Sequence, residues 1–253
     1  MVVKLTTNER YVRSLQLLRE KVPSFQSFPF HLPVLRDLNE LQFHPNVTFI
    51  VGENGMGKST LLEGAAVAYG FNPEGGTKNF HFSSYDSHSP LDKYLRLVKG
   101  IKKPEDQFFF RAETFYNVAT NIEEMDSDPM GGGKVIDSFG GKSLHEQSHG
   151  ESFFAAFNHR FSGKGLYILD EPEAALSPLR QLSMLSRIHD LVENESQFII
   201  STHSPILMAY PHAEIVQLTE EGCRKVSIEE TSHYHIMKQF IEDRERLFYH
   251  LLQ

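Results

Sequence analysis

Hydrophobic positions in this chain fall into short unbroken apolar runs separated by amphipathic stretches, the pattern of a parallel sheet covered on both faces. Val47 to Val51 is rich in β-branched residues and bounded by Pro45-Asn46 and Gly52, so it predicts a buried strand. Leu166 to Leu169 and Phe198 to Ser201 predict two more. Gln107 to Glu113 predicts another, and weaker strands are expected near Glu214 to Leu218 and Lys225 to Ile228. Between them lie helical patterns: Ser59 to Tyr69, a segment running to about Met125, Glu151 to Phe161, and Leu179 to Glu193. Gly70 and Pro73 stop the first of these. A last helix starts near Ser232 and carries Ile236, Phe240, Leu247, Phe248 and Leu251 along one side. Phe28 to Leu35 has the Pro and aromatic content of edge-strand and turn structure.

Strands alternating with helices mean an α/β fold built on a mainly parallel sheet. The 253 residues suit one domain. Residues 72–160, approximately, change character within it. Loop-forming stretches at Asn72 to Gly76, Ser83 to Ser87 and Asp126 to Gly133 break the pattern, so this part is expected to be an inserted, mainly helical subdomain.

Composition narrows the setting. The N-terminus lacks the apolar stretch of a secretory signal, and no apolar run approaches the ~20 residues of a membrane helix, so a cytoplasmic protein without direct membrane insertion is expected. A single cysteine, Cys223, rules out an intramolecular disulfide. Net charge is −8, against the basic balance of a dedicated DNA-coating protein. The basic crowd Lys93, Arg96, Lys99, Lys102 and Lys103 reads first as a solvated helix face.

Four elements carry chemistry. Gly52-Glu53-Asn54-Gly55-Met56-Gly57-Lys58-Ser59-Thr60 fits the phosphate-loop pattern G-x-x-x-x-G-K-[ST] between a predicted strand and helix. Its glycines let backbone amides curl around phosphate oxygens, Lys58 reaches the β- and γ-phosphates, and Ser59 coordinates Mg2+. Asp170 ends an apolar strand and is placed to hold the magnesium shell, with Glu171 next to it to orient and deprotonate a water. Gln147 to Glu151 opens a helix, where Ser148 and the Gly150 amide form a second anion site or, with Glu151, an ordinary capping box. His203 stands just past a buried strand, where a γ-phosphate sensor is expected.

In this order the four elements resemble the ATP-binding-cassette (ABC) superfamily. Gly52 to Ser59 matches its Walker A, Gln147 to Glu151 its signature, and Leu166 to Glu171 its Walker B. Ala174 to Ser177 resembles its D-loop and His203 its switch histidine. The chain looks most like the soluble, non-transporter branch, the small AAA-like ATPases related to SMC, RecF and OLD-type repair or defence proteins. That resemblance implies ATP and Mg2+ as ligands, hydrolysis of ATP, and an ATP-dependent homodimer in which each signature caps the other copy's γ-phosphate. It also implies a switch acting on a protein or nucleic-acid partner. The alternative is the nucleotide-binding subunit of a transporter.

The signature departs from the family pattern, since His149 replaces a usual glycine. No clear match exists for the glutamine that follows the nucleotide core; Glu113 is expected to take its place near the metal, ahead of Gln107. Phe28 or Phe30 is the candidate to stack on adenine. His145 and His149 share an i, i+4 spacing that would suit a metal if helical, but a magnesium-dependent phosphate loop nearby argues against zinc. With no long heptad region and no Cys-x-x-Cys hook, neither the long arms of an SMC-like protein nor an appended nuclease domain is expected.

Overall fold

The computed structural model describes residues 11–78, 89–127, 134–146 and 149–252. Its centre is a six-stranded sheet in the order β5-β6-β7-β3-β8-β9. The strands are β3 (Val47–Val51), β5 (Asp106–Arg111), β6 (Gly165–Asp170), β7 (Gln197–Ser201), β8 (Ala213–Thr219) and β9 (Gly222–Val226). All adjacent pairs run parallel except β8 and β9, which form an antiparallel hairpin at one edge. A second, three-stranded antiparallel sheet takes the order β2-β1-β4, from β1 (Val12–Leu17), β2 (Glu40–Gln42) and β4 (Leu95–Lys99).

The unbroken apolar runs are explained by cover on both faces. Every residue of β3, β6 and β7 is buried. Side chains alternate across the sheet, so Tyr167, Leu169, Phe198 and Ile200 enter one core while Leu166, Ile168 and Ile199 enter the other. The first core is closed by helices α3 (Phe115–Ser127), α4 (His149–His159) and α5 (Pro178–Glu193), and phenylalanine fills it. Phe161 stacks on Tyr167 at 4.2 Å, and Phe110 meets Phe153 at the same distance. On the opposite face lie α2 (Lys58–Tyr69), the small sheet and α1 (Pro33–Arg36).

Three expectations are corrected. Phe28 to Leu35 forms turns and the start of α1 instead of an edge strand, and Pro33 suits the first turn of that helix. The basic segment contains strand β4, which pairs with β1, so Arg96 and Lys99 project from a sheet rather than a helix. The last helix is broken at Asp243 into α7 (Ser232–Glu242) and α8 (Arg244–Leu251). Its apolar side stays open, with Ile236 60 % and Ile241 73 % exposed. Strands β4 and β5 fall inside residues 72–160, and the helical part of that stretch begins at Phe115. Ser83 to Ser87 and most of the loop before Lys134 lie outside the described residues.

One side chain ties the two sheets together. Gln197 is buried at the start of β7; its Oε1 accepts from the Tyr11 and Val12 amides at 3.0 and 2.9 Å. Its Nε2 donates to the Val12 and His44 carbonyls at 2.8 and 2.9 Å. Two donors and two acceptors are the whole capacity of a carboxamide, and all four are used on backbone. Replacing Gln197 by Leu keeps the volume but strands those backbone groups. At about 1–3 kcal/mol for each buried group left unpaired, Gln197→Leu is expected to lose at least about 3 kcal/mol in urea unfolding. A loss under about 1 kcal/mol would show that water replaces the carboxamide.

Candidate functional site

Strand register builds the site before any side chain is considered. Arg111 pairs with Asp170, Asp170 with Ser201, and Ser201 with Ile50, so the carboxyl ends of β5, β6, β7 and β3 fall in one row. Crevices of this kind, outside the carboxyl ends of parallel strands, are where α/β sheets place ligands.

The loop Gly52 to Gly57 leaves β3 and feeds directly into α2, whose first turn is Lys58, Ser59 and Thr60. The first amides of a helix have no carbonyl upstream within it, so they face the loop's hollow with the positive end of the helix behind them. Gly57 adopts φ 95°, and a Cβ there would stand 2.7 Å from Val34 Cγ1. A side chain at that position is excluded both by backbone conformation and by contact with α1. Glu53, Asn54 and Gly55 are exposed along the loop, and Met56 is half-buried against the core.

Lys58 is buried, and its Nζ donates to the Gly52 and Glu53 carbonyls at 2.8 and 3.1 Å. Burial lowers its pKa, and the surrounding carboxylates Glu171, Asp170, Glu53 and Glu173 pull it back up. The ammonium therefore sits on the phosphate loop, within the field of four acids.

Asp170 is 5 % exposed. Its Oδ1 accepts from Ser59 Oγ at 3.1 Å and from Ser201 Oγ at 2.5 Å, and its Oδ2 lies 3.8 Å from Arg111 Nε. Burial raises its pKa in spite of Ser201, Arg111 and Ser59, all of which lower it. Arg111 is shared, because its Nη1 holds Glu63 Oε2 of α2 at 2.5 Å.

Glu171 follows with φ 49°, in the left-handed region that a glutamate rarely occupies. Its amide is held there by the Ser201 carbonyl at 3.2 Å and Ser201 Oγ at 3.1 Å. Its Oε1 lies 3.5 Å from His203 Nε2. The His203 amide donates to Glu173 Oε1 at 2.6 Å, and the His203 ring meets His233 of α7, Nδ1 to Nε2, at 3.0 Å. Burial lowers the pKa of both histidines.

The structure thus brings Lys58, Ser59, Asp170, Glu171 and His203 together. Glu113 is different: its side chain is 79 % exposed and lies 3.5 Å from Arg111 Nη2. Among the described residues, Arg111 is the side chain from β5 that reaches Asp170. Gly150 sits in the first turn of α4, where its carbonyl accepts from Arg180 Nη1 at 3.3 Å. Ser148 lies outside the described residues, and with it the test of the second anion site. Of the aromatic candidates, Phe30 is 2 % exposed and packed on Tyr94, so core burial takes it, while Phe28 is 60 % exposed. His145 belongs to the turn before α4 and contacts Thr120 Oγ1 at 3.2 Å. Among the described residues no group of three His, Cys, Asp or Glu is arranged to hold a metal by itself.

Sequence reasoning missed Arg111, Ser201 and His233. An arginine closing a buried apolar run and a serine closing another were visible signals, since buried polar groups at strand ends need partners. His233 gave none, because only tertiary folding brings α7 to the site.

The donor set fits a magnesium ion. Mg2+ is usually held by one or two protein oxygens, with waters and phosphate oxygens completing its shell. Ser59 and Asp170 supply two such oxygens already within 3.1 Å of each other, at a carboxylate whose pKa burial raises.

Two family models match the chain: "AAA domain" over residues 23–127 and "AAA domain, putative AbiEii toxin, Type IV TA system" over 152–209. The chain is 26 % identical over 202 residues to the cobalt import ATP-binding protein CbiO of Salmonella typhimurium, covering 75 % of this chain and 73 % of that protein. It is also 26 % identical over 177 residues to the ABC transporter G family member STR2 of Medicago truncatula. That match takes in 63 % of this chain but spans only about a quarter of the plant protein, 24 %. A putative metal-chelate type ABC transporter in an inward-facing conformation aligns over 91 % of this chain and 88 % of that one, at 17 % identity and TM-score 0.48.

The left-handed glutamate generates a prediction. A non-glycine residue in that region costs on the order of 1–2 kcal/mol, which glycine avoids. Glu171→Gly is therefore expected to unfold at the same temperature as the wild type or higher, whereas Glu171→Val unfolds lower. Calorimetry showing Glu171→Gly clearly destabilised would mean that the side chain supports the fold.

Proposed function

We propose that this chain, whose place in the AAA/ABC ATPase superfamily is supported by both family models and by its relatives, binds MgATP and hydrolyses it between two copies. The observation that carries the reading is the convergence of Lys58, Ser59, Asp170, Glu171 and His203 at the ends of β3, β6 and β7. A loop lysine, a metal-binding serine and aspartate, and a carboxylate placed to orient water are the parts from which phosphate-loop phosphoryl-transfer sites are built.

In this reading the loop amides and the first turn of α2 bind the phosphates. Lys58 leaves the Gly52 and Glu53 carbonyls for the β- and γ-phosphate oxygens, a short swing of a flexible side chain. Ser59 and Asp170 would hold a magnesium ion, which would draw charge from the phosphate oxygens. Glu171 orients a water and accepts its proton as the water oxygen bonds to the γ-phosphorus and the bond to the bridging oxygen breaks, leaving ADP and phosphate. His203 donates to the γ-phosphate. Ser148 and Gly150 of the signature segment cap the nucleotide of the other copy, so ATP draws two copies together and hydrolysis releases them.

A switch acting on a protein or nucleic-acid partner is one reading. The match to a cobalt import subunit across three quarters of the chain favours a second, the nucleotide-binding subunit of a membrane transporter. Among the described residues no helix is long and apolar enough to cross a membrane.

Acidic variants test the mechanism side by side at saturating MgATP. Glu171→Gln keeps shape and binding but loses the proton acceptor, so turnover falls about 10²-fold or more and the ATP-bound dimer accumulates. Asp170→Asn weakens the magnesium site and loses both turnover and dimer. Wild-type turnover in Glu171→Gln would move the general base elsewhere. Lys58→Ala is expected to abolish ATP binding by titration calorimetry while the protein stays folded, since a point charge on phosphate contributes little to the core.

A further inference from the structure

The first turn of α7 is capped by Thr231 and seated on the nucleotide site by two contacts. Thr231 is fully buried and caps the helix, its Oγ1 accepting from the Tyr234 amide at 3.3 Å and donating to the Ile228 carbonyl at 2.7 Å. Ser232 Oγ donates to Glu53 Oε1 on the phosphate loop at 3.3 Å. His233 Nε2 lies 3.0 Å from His203 Nδ1. Beyond this turn α7 buries no residue.

A contact of 3.0 Å between two ring nitrogens contains one proton, and its location decides what the other face of His203 offers. With the proton on His203 Nδ1, the neutral ring presents a lone pair at Nε2, facing Glu171 Oε1 at 3.5 Å. Two acceptors would then oppose each other. With the proton on His233 Nε2, His203 accepts at Nδ1 and carries its own hydrogen on Nε2, directed toward Glu171 and the phosphate side. The second arrangement turns a hydrogen, not a lone pair, toward the Glu171 carboxylate, which at 3.5 Å is close enough to attract it without a formed hydrogen bond. Burial and the nearby Lys58 charge disfavour the charged form of both rings, so the comparison that matters is between tautomers.

The geometry points to His233 as a positioning residue: it donates from Nε2 to His203 Nδ1, fixes His203 as the Nε2–H tautomer, and thereby ties the first turn of α7 to the histidine that meets the γ-phosphate. This rests on the ATPase reading for its consequence, but not for the tautomer itself.

The test uses protein labelled with 15N at histidine, the His203 ring being assigned by its loss in His203→Gln. Long-range 1H–15N spectra are expected to show the His203 Nε2–H form in the wild type and in His233→Gln, whose carboxamide can donate from nearly the same position. His233→Phe, which fills the space without a donor, is expected to lose that preference. Its kcat for ATP falls about tenfold or more, the scale for losing a group that orients a working histidine, with KM unchanged and with His233→Gln restoring most of the rate. A wild-type His203 protonated at Nδ1 would overturn the proposal, as would full kcat in His233→Phe or equal loss in His233→Gln. If the wild type hydrolyses no ATP, the function reading fails, while the spectra still decide the tautomer.

Discussion

A carboxylate removed from water must be met by donors, and the demand of Asp170 organises the centre of this molecule. It stands at the end of β6, covered on both faces of the sheet, and three different elements answer it. Ser59 comes from the start of α2, Ser201 from the end of β7, and Arg111 from the end of β5. Each is delivered by strand register or by the helix that follows a strand, so a one-residue slip in β5, β6 or β7 would turn its contribution to the wrong face. Arg111 is in turn steadied by Glu63 on α2, which fastens that helix across the sheet. Even so, burial outweighs the donors and leaves the carboxylate short of positive charge. A magnesium ion bound with the nucleotide would supply it.

Strain and hydrogen bonding at the neighbouring positions follow from the same row. Ser201 serves Asp170 with its hydroxyl hydrogen and serves the Glu171 amide with its carbonyl and hydroxyl oxygens. That double service holds Glu171 in a backbone conformation that opposes its side chain's preference, and turns its carboxylate toward His203. Glu173, two residues on, is engaged by the His203 amide. The acids of this segment therefore have separate tasks set by local geometry: one buried among donors, one facing the histidine, one fixing the histidine's backbone.

Much of this was legible in the sequence because its signals are local. Val47 to Val51, Leu166 to Leu169 and Phe198 to Ser201 are continuous apolar runs, and a strand buried on both faces writes itself that way. The phosphate loop is contiguous, and so are Asp170 and Glu171. The small sheet was not legible: β1 pairs with β4 across the chain, Val12 with Lys99, its strands read weakly alone, and the lysines beside β4 masked it. Gln197 looks like an ordinary polar residue before a strand until its four backbone partners are seen. The break at Asp243 was hidden because the apolar spacing of α7 and α8 continues through it, although Asp243 caps α8 by accepting from the Arg246 amide at 3.0 Å.

The central claim is that the phosphate loop and the end of β6 form one metal–nucleotide site. Crystals grown with Mn2+ and a non-hydrolysable ATP analogue test it through the metal's anomalous signal. The account predicts a single metal within direct coordination distance, about 2.0–2.2 Å, of Ser59 Oγ and of the β- and γ-phosphates, with the Asp170 carboxylate in its shell directly or through one water. A nucleotide bound away from Gly52 to Thr60, or a metal that leaves Ser59 and Asp170 still bonded to each other and not to it, would contradict the account.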